Sequence, residues 1–525
     1  MNRTTLTLLA TVTALAALTG VAALHQPDAT TGPAPTSVRM PVERTTLVCP
    51  PPGDSDLART EYTALTPATR DGDGRGRPAE LLPAPRTLPG QGGDAEDGKG
   101  AEDGTDGKGS GNGQGRTAGK GTKDDEPVLV VRRPGTPVTA EANRADAPGL
   151  TGSAEGPLAP GWTVQQTTTV SAGTMRGLLG TTCTTADTEF WFPGASTAQG
   201  RRDYVVLTNP DRTPAVVDLS LYDRKGPVRT HTGEGITVPA HSSVPVLLST
   251  LVDRPSVNVA LRVVVRTGRV GAQVQATDAR LGTDWLPPVV QPTPTVVLPG
   301  IPGDARAVRL VAFAPGDRDV DLAVRFVGKG GTITPAGHET LHLTSGKTTA
   351  VDLANLTQGE PGALLLTPAK DGEGGAGVVA ALRVVRGTTG SQDLAFVPAT
   401  APLGLQATAA DNRAKGSTLT LTAPDDTVRV KVTASAGSDG GRPVSRTYTV
   451  KGGTTLAVTP PVPQGLKGRY GLTVQRLSGG TLYAARVLAL PQDGVAMFTV
   501  QTLPDDRGMV QVPEAAQDPS VLLTG

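Results

Sequence analysis

One repeated pattern constrains the fold more than any other feature: a strand, a turn around a proline and a second strand occur three times. The three segments are YVVLTNPDRTPAVVDLSLYD (204–223), VRLVAFAPGDRDVDLAVRFVG (308–328) and LTLTAPDDTVRVKVTASAG (419–437). Their turn prolines, Pro210, Pro315 and Pro424, recur at nearly equal intervals along the chain. Alternating apolar residues between regular turns are typical of antiparallel sheets. Units of about 100 residues with about seven such strands are typical of immunoglobulin-like β-sandwiches.

Two further elements follow each copy of this pattern. Small-residue turns at Ala240, Gly346 and Gly453 recur at almost the same interval as the prolines and predict a hairpin in every unit. A strand ending in glycine comes next, as LRVVVRTG, LRVVRG and LTVQRLSGG, and the insertion PAKDGEGGAG displaces it in the second copy. The repeat therefore predicts an all-β protein with three tandem antiparallel β-sandwiches. Their predicted bounds are 127–290, 291–402 and 403–525.

The residues between the leader and the first predicted sandwich fall into two parts. Residues 71–126 are rich in Gly, Asp and Lys and nearly lack large apolar side chains. Such a segment cannot bury enough apolar surface to fold, so it predicts a disordered linker. Residues 25–70 are predicted to be a membrane-proximal segment, which contains Cys49.

The apolar leader, residues 1–24, predicts export. Its one charge is Arg3, and the uncharged stretch from Thr4 to Leu24 could cross the roughly 30 Å hydrocarbon layer as a helix. Val21 and Ala23 also give the small-x-small ending of a signal-peptide cleavage site. The leader is therefore either a single-pass anchor in the cell membrane or a cleaved signal peptide of a secreted protein. Both alternatives place the remaining chain outside the cytoplasm.

The chain has two cysteines, Cys49 and Cys183. An even, minimal count in an exported chain favours one disulfide over two free buried thiols. The disulfide would close the long loop between these positions and tie the membrane-proximal segment to a later domain. In the loop-entropy description, this closure constrains the unfolded chain by about 4 kcal/mol.

Composition argues against nucleic acid as a partner. The 49 Lys and Arg residues balance the 49 Asp and Glu residues, so no net field attracts a polyanion to the whole chain. Phe, Trp and Tyr are scarce, which leaves few side chains for stacking on bases. The sequence also predicts no cofactor.

The string HETLH, from His338 to His342, is the closest match to a catalytic motif. On a helix, H-E-x-x-H brings two zinc ligands onto one face with the glutamate, here Glu339, as general base. On a strand the same spacing separates the two histidines by about 13 Å. Leu341 and Leu343 alternate as in a strand, so we predict neither a metal nor a catalytic residue here. A secreted zinc hydrolase that uses this string is the alternative.

The densest aromatic cluster consists of Phe190, Trp191 and Phe192, and Trp285 ends the first predicted unit in a similar way. Packing in the core next to Cys183 is the favoured interpretation. The alternative is a ligand surface on which these four rings stack against sugars.

Several motifs resemble a family of exported actinobacterial envelope proteins that is known only as a domain of unknown function. The motifs are RTTLVCPPP, GLLGTTCTTADTEFWFPG, YVVLTNPDRTPAVVDLSLYD and VGAQVQATDARLGTDWLPP. The resemblance extends from about Arg39 to Pro398. It implies an N-terminal membrane segment, a disordered insert, sandwich-like domains and a link to surface-polysaccharide biology. No catalytic residue follows from it.

These observations predict a non-enzymatic extracytoplasmic protein, tethered to the membrane through residues 4–24 or secreted if the leader is cleaved. It would act as a scaffold or binding module through its sheet faces and loops. The expected partner is a cell-wall glycan or a membrane-bound envelope enzyme.

Overall fold

The computed structural model describes residues 38–68, 76–88, 126–370 and 376–512. These residues form 38 strands, numbered β1 to β38 along the chain, and two short 3-10 helices, Gly156–Leu158 and Leu248–Leu251. No α-helix occurs among them, and none of their helices could cross a membrane. The predicted all-β class is confirmed. The predicted leader and most of the predicted linker lie outside the described residues.

The first sandwich contains eight strands in two sheets, ordered β2-β7-β4-β5 and β6-β3-β8-β9. Leu47 and Leu150 from one sheet and Tyr62 and Val164 from the other share its core. The strands are β2 (Arg44–Cys49), β3 (Ala58–Leu65), β4 (Ala79–Ala84), β5 (Leu129–Val131), β6 (Val138–Ala142), β7 (Gly149–Glu155), β8 (Thr163–Val170) and β9 (Gly177–Thr182).

The second sandwich pairs the sheet β10-β16-β12-β13, with β14 also on β12, with the sheet β15-β11-β17-β18. Apolar and polar residues alternate in strands such as β12, which places one face of the sheet in the core. In this strand the side chains of Val217, Leu219 and Leu221 are buried, and those between them are partly exposed. The strands are β10 (Glu189–Ala195), β11 (Arg201–Thr208), β12 (Ala215–Asp223), β13 (Gly226–Val228), β14 (Ile236–Val238), β15 (Ser243–Leu247), β16 (Val259–Thr267), β17 (Gly271–Asp278) and β18 (Gly282–Leu286).

The third sandwich pairs β19-β25-β21-β22, with β23 also on β21, with β24-β20-β26-β27. One continuous apolar core joins it to the second sandwich. The strands are β19 (Val296–Ile301), β20 (Ala307–Phe313), β21 (Val320–Val327), β22 (Thr332–Ile333), β23 (Thr340–Leu343), β24 (Thr348–Asp352), β25 (Gly362–Pro368), β26 (Val379–Arg386) and β27 (Asp393–Pro398).

The fourth sandwich pairs β28-β35-β30-β32 with β33-β29-β36-β37, and β31 and β34 form an additional small sheet. Most of its core is a separate apolar cluster. The strands are β28 (Gln406–Asn412), β29 (Ser417–Ala423), β30 (Val428–Gly437), β31 (Gly440–Arg442), β32 (Val444–Val450), β33 (Thr454–Val458), β34 (Gln464–Lys467), β35 (Tyr470–Gly479), β36 (Tyr483–Ala489) and β37 (Phe498–Thr502).

All four sandwiches have the same connectivity. Setting aside β13, β22, β31 and β34, each has eight strands: the first, sixth, third and fourth form one sheet, and the fifth, second, seventh and eighth form the other. The fifth strands begin at Val138, Ser243, Thr348 and Thr454, so their starts recur at nearly equal intervals. The described chain is therefore a fourfold repeat.

The predicted number of three sandwiches is corrected to four. Strands from the predicted membrane-proximal segment, β2 and β3, combine with β4 to β9 in one additional sandwich. The long insertion between Ala84 and Leu129 separates its third strand from its fourth, which interrupts the repeat spacing on which the prediction relied.

The predicted hairpins are also corrected. The two strands on either side of each small-residue turn, such as β14 and β15, belong to opposite sheets and do not pair with each other. The same is true of the strands around each proline turn, such as β11 and β12. Alternation locates strands but does not identify their partners. In the third sandwich, the equivalent of LRVVVRTG is β25, one strand before the predicted LRVVRG.

The four sandwiches, within the compact unit Val42–Gly508, close into a ring. At its centre the eighth strands meet: β9 contacts β18, β18 contacts β27, β27 contacts β37, and β37 contacts β9. The first strand of each sandwich packs against the following sandwich in the ring. β10 lies against β20 and β26, β19 against β29 and β36, and β28 against β3 and β8. The first strand of the first sandwich, β2, lies against β17 of the second: a Cβ added to Gly271 would be only 2.9 Å from the Cβ of Val48.

A separate two-stranded ribbon pairs β1 (Val38–Pro41) with β38 (Met509–Val512). Val38 lies opposite Val512 and Met40 opposite Val510, and all four side chains are exposed. The ribbon therefore presents a small apolar face on its own.

Candidate functional site

In this fold the HETLH string lies in and just before a β-strand, not on a helix. His342 lies on strand β23 opposite Asp321 of β21, and its Nδ1 is 2.7 Å from the Asp321 carboxylate. This hydrogen bond raises the pKa of His342. His338 precedes the strand and is not stacked one helical turn from His342. Among the described residues, no three His, Cys, Asp or Glu side chains are grouped so as to hold a metal ion.

The aromatic residues are buried, which corrects the alternative of a ligand surface. Phe190, Trp191, Phe192 and Trp285 are between 0 and 5% exposed, so no ring face is free for a sugar. Trp191 lies 5.4 Å from the ring of Phe313 in the third sandwich. Trp285 packs with residues of the first sandwich, among them Leu179. Trp191 and Trp285 therefore join neighbouring sandwiches.

The disulfide between Cys49 and Cys183 is confirmed, but it does not link two domains. Cys49 ends β2 and Cys183 directly follows β9, so both belong to the first sandwich. The bond joins the two sheets of the sandwich that carries the long insertion. Its position makes it a local cross-link within that sandwich.

The centre of the ring holds two buried carboxyl groups, Asp284 on β18 and Asp393 on β27. Asp284 accepts hydrogen bonds from the backbone N–H of Gly180 at 2.9 Å and the hydroxyl of Thr499 at 3.1 Å. Asp393 accepts the N–H of Phe498 at 2.9 Å. Burial raises the pKa of Asp393 to about 7 and that of Asp284 well above its ordinary value. Both carboxyls are at most 1% exposed, so they connect strands rather than meet a substrate.

Close packing at this centre requires glycine at position 180. A Cβ on Gly180 would lie 1.9 Å from Nε2 of Gln501 and 2.5 Å from the methyl carbon of Thr499. The first and fourth sandwiches can therefore approach each other only because β9 has no side chain at this point.

A polar network joins the fourth sandwich to the first and closes the ring; we call it the closing interface. Asp411 on β28 is fully buried, accepts the hydroxyl of Thr167 at 2.7 Å and donates its backbone N–H to Gln165 at 2.9 Å. The guanidinium of Arg486 is also fully buried and donates to the same Gln165 oxygen at 3.3 Å. The network thus places a buried cation and a buried anion around one glutamine of the first sandwich.

An ion pair between Arg469 and Glu61 completes the closing interface. Arg469 of the fourth sandwich donates two hydrogen bonds, of 2.6 and 2.7 Å, to the carboxylate of Glu61 on β3. Arg413 lies 3.7 Å from Glu61 and 3.6 Å from Asp411. Burial acts to raise the pKa of Asp411, but the neighbouring arginine charges, Arg413 foremost, and the hydrogen bond from Thr167 together outweigh it and lower that pKa. Burial lowers the pKa of Arg486 to about 10, so this guanidinium stays charged at neutral pH.

The outer face of the fourth sandwich carries nine polar side chains on three neighbouring strands; we call it the polar array. Arg429, Lys431 and Thr433 form its middle row on β30, alternating with buried residues. Cross-strand pairing aligns this row with two flanking rows. The flanking residues are Ser445, Thr447 and Thr449 on β32 and Thr473, Gln475 and Ser478 on β35.

The polar array carries two unpaired cations. Neither Arg429 nor Lys431 has an acidic partner within 4.0 Å in the described part of the chain. On the equivalent sheets of the first and second sandwiches a cation pairs with a carboxylate, Arg44 with Glu155 and Arg266 with Asp218. On that of the third, His342 contacts Asp321, and the exposed Arg325 of β21 has no acidic partner within 4.0 Å among the described residues.

Sequence reasoning missed the ring centre, the closing interface and the polar array. A signal exists for the first two: Asp393 begins the apolar strand β27 and Arg486 lies inside β36, both at buried positions where an unpaired charge is costly. The polar array follows the ordinary outward alternation of β30, β32 and β35. Only an alignment of the four repeats shows how the polar array differs from the equivalent faces of the other sandwiches.

A protein-family model described as a family of unknown function (DUF5719) matches residues 138–461. The matched range begins at the fifth strand of the first sandwich and ends within the fourth sandwich. No curated protein and no solved structure matches the chain.

Proposed function

The chain belongs to the family of unknown function DUF5719, and from this premise we propose that it is a non-enzymatic scaffold or binding module of the cell envelope. The closure of four sandwiches into one ring supports this role most directly. A closed ring holds the outer sheet faces in fixed relative positions, so binding to them costs little ordering entropy. The buried charged groups described above stabilise contacts between sandwiches, which leaves the outer surface for partners.

The proposed location is outside the cytoplasm of an actinobacterial cell, with residues 4–24 as a membrane anchor or a cleaved signal. The uncharged stretch from Thr4 to Leu24 and the disulfide support this location, because disulfides persist mainly in oxidising compartments. The proposed partner is a cell-wall glycan or a membrane-bound envelope enzyme. Co-sedimentation with the wall and pull-down from solubilised envelope would identify this partner.

We expect purified full-length protein to be retained on cell-wall material or on one defined membrane protein from solubilised envelope of the producing organism. The measurement is co-sedimentation with the insoluble wall, and pull-down followed by mass spectrometry for the membrane fraction. Hydrolysis of envelope material would contradict a non-enzymatic role, as would a stoichiometric zinc ion lost on His338→Ala. A protein with neither wall nor membrane partner would contradict the scaffold role.

A further inference from the structure

We propose that the polar array on the fourth sandwich binds an extended anionic polysaccharide. The inference rests on the proposed binding role and names the ligand class and the surface. The array is part of the sheet β28-β35-β30-β32. That sheet contacts the first sandwich through its first strand, β28, at the opposite end from β32. The array therefore faces solvent, and the residues of β32 that belong to it are exposed.

The charges of the array favour an anion. Arg429 and Lys431 are two positions apart on β30, so their side chains emerge on the same face about 7 Å apart. The equivalent faces of the first and second sandwiches pair a cation with a carboxylate, and that of the third has one cation, Arg325, without an acidic partner among the described residues, whereas this face has two such cations side by side. Asp506 lies beyond the array, where Gln406 and Thr408 of β28 bind its carboxylate. The centre of the face is consequently cationic, although the whole chain is neutral.

The remaining side chains of the array favour a sugar chain over a nucleic acid. Apart from the two cations, all of them are hydroxyl or amide groups, which donate and accept hydrogen bonds as the hydroxyls of a sugar do. None is aromatic, so the face offers no platform on which unpaired bases could stack. Neighbouring strands are about 4.8 Å apart, so a linear polymer lying across them meets a polar row at each strand.

The anion itself could be a carboxylate or a phosphodiester, since guanidinium and ammonium groups bind both. The experiment therefore uses two polymers, polygalacturonate and a poly(glycerol phosphate), with neutral dextran and single-stranded DNA as comparisons. Binding of the full-length protein is measured by isothermal titration calorimetry at low and high salt. We expect at least one anionic polysaccharide to bind, dextran to bind at least tenfold more weakly, and affinity to fall with salt.

The test variant is Arg429→Gln with Lys431→Gln, and the matched control is Arg442→Gln with Arg446→Gln. Both remove two solvent-accessible charges from the same sandwich, but Arg442 and Arg446 lie outside the array. We expect the test variant to weaken binding about tenfold or more, which corresponds to the loss of roughly 1.4 kcal/mol, and the control to bind like the natural protein. Circular dichroism and thermal unfolding check that both variants stay folded.

Equal weakening by the control variant would overturn the inference, because general charge would then explain binding. Tighter binding of DNA than of both anionic polymers would overturn it as well. Retention on the cell envelope that survives Arg429→Gln with Lys431→Gln would overturn this inference and leave the proposed function standing. Failure of the natural protein to bind any envelope component would instead overturn the proposed function.

Discussion

Replacing Asp411 by alanine is expected to lower the free energy of unfolding by about 3–5 kcal/mol, because removing one partner of a buried charge network leaves the other charge uncompensated. The cations that lose this carboxylate are Arg413, 3.6 Å away, and the fully buried Arg486, and the hydroxyl of Thr167 also loses its acceptor. The loss should be concentrated in the closing interface. Hydrogen exchange of backbone amides in β8 and β28 should therefore accelerate more than exchange inside the second and third sandwiches.

The control for this prediction is Asp352→Ala. Asp352 pairs with Arg309 on the surface, and its side chain is 64% exposed, so its loss should cost less than about 1 kcal/mol. Combining Asp411→Leu with Arg486→Met should recover part of the stability, since it removes the buried guanidinium together with the carboxylate whose charge acts on it. Denaturant unfolding of all variants gives the comparison. A cost of Asp411→Ala no larger than that of Asp352→Ala would show that the network does not hold the ring closed.

Local pattern was enough to predict most strands of the last three sandwiches, because strands such as β12 and β30 alternate between buried and more exposed positions. It was not enough to predict the first sandwich, whose third and fourth strands are separated by the long insertion after Ala84. The spacing of the fifth strands survives this insertion. Val138 precedes Ser243 by the same interval that separates Ser243 from Thr348, and an alignment anchored there would have given four units.

Long-range polar contacts could not be predicted from the sequence. Gln165 meets Asp411 and Arg486, which are 246 and 321 residues away along the chain. Neither the strand TVQQTTTV nor the strand YAARVLA indicates its partner, since alternation specifies a face and not a neighbour. Ring closure is therefore a property of the assembled fold. The aromatic cluster illustrates the same limit, because burial of Trp191 depends on the third sandwich.

The stability of the natural protein is expected to fall as pH rises from about 4 to about 7, and Asp393→Asn should remove this part of the pH dependence. Burial raises the pKa of Asp393 to about 7, whereas the unfolded chain has an ordinary aspartate near about 4. Below about pH 4 the Asp393 carboxyl is protonated in both the folded and the unfolded state, and its contribution to the free energy of unfolding is fully present. As pH rises toward about 7, the unfolded state loses this proton first. The free energy of unfolding then decreases by about 1.4 kcal/mol per pH unit, or about 4 kcal/mol in all.

Asparagine at position 393 stays neutral and can still accept the N–H of Phe498, so the variant should match the natural protein at pH 4 and exceed it at pH 8. The facing charges are Arg176, which opposes the shift, and Asp284, whose own pKa Asp393 helps to raise. The measurement is denaturant unfolding at pH 4, 6 and 8. Asp352→Asn provides a control of opposite sign, because its hydrogen bond with Arg309 lowers the pKa of Asp352 and supports stability that is lost on acidification. Parallel pH profiles for Asp393→Asn and the natural protein would show that Asp393 does not take up a proton on folding.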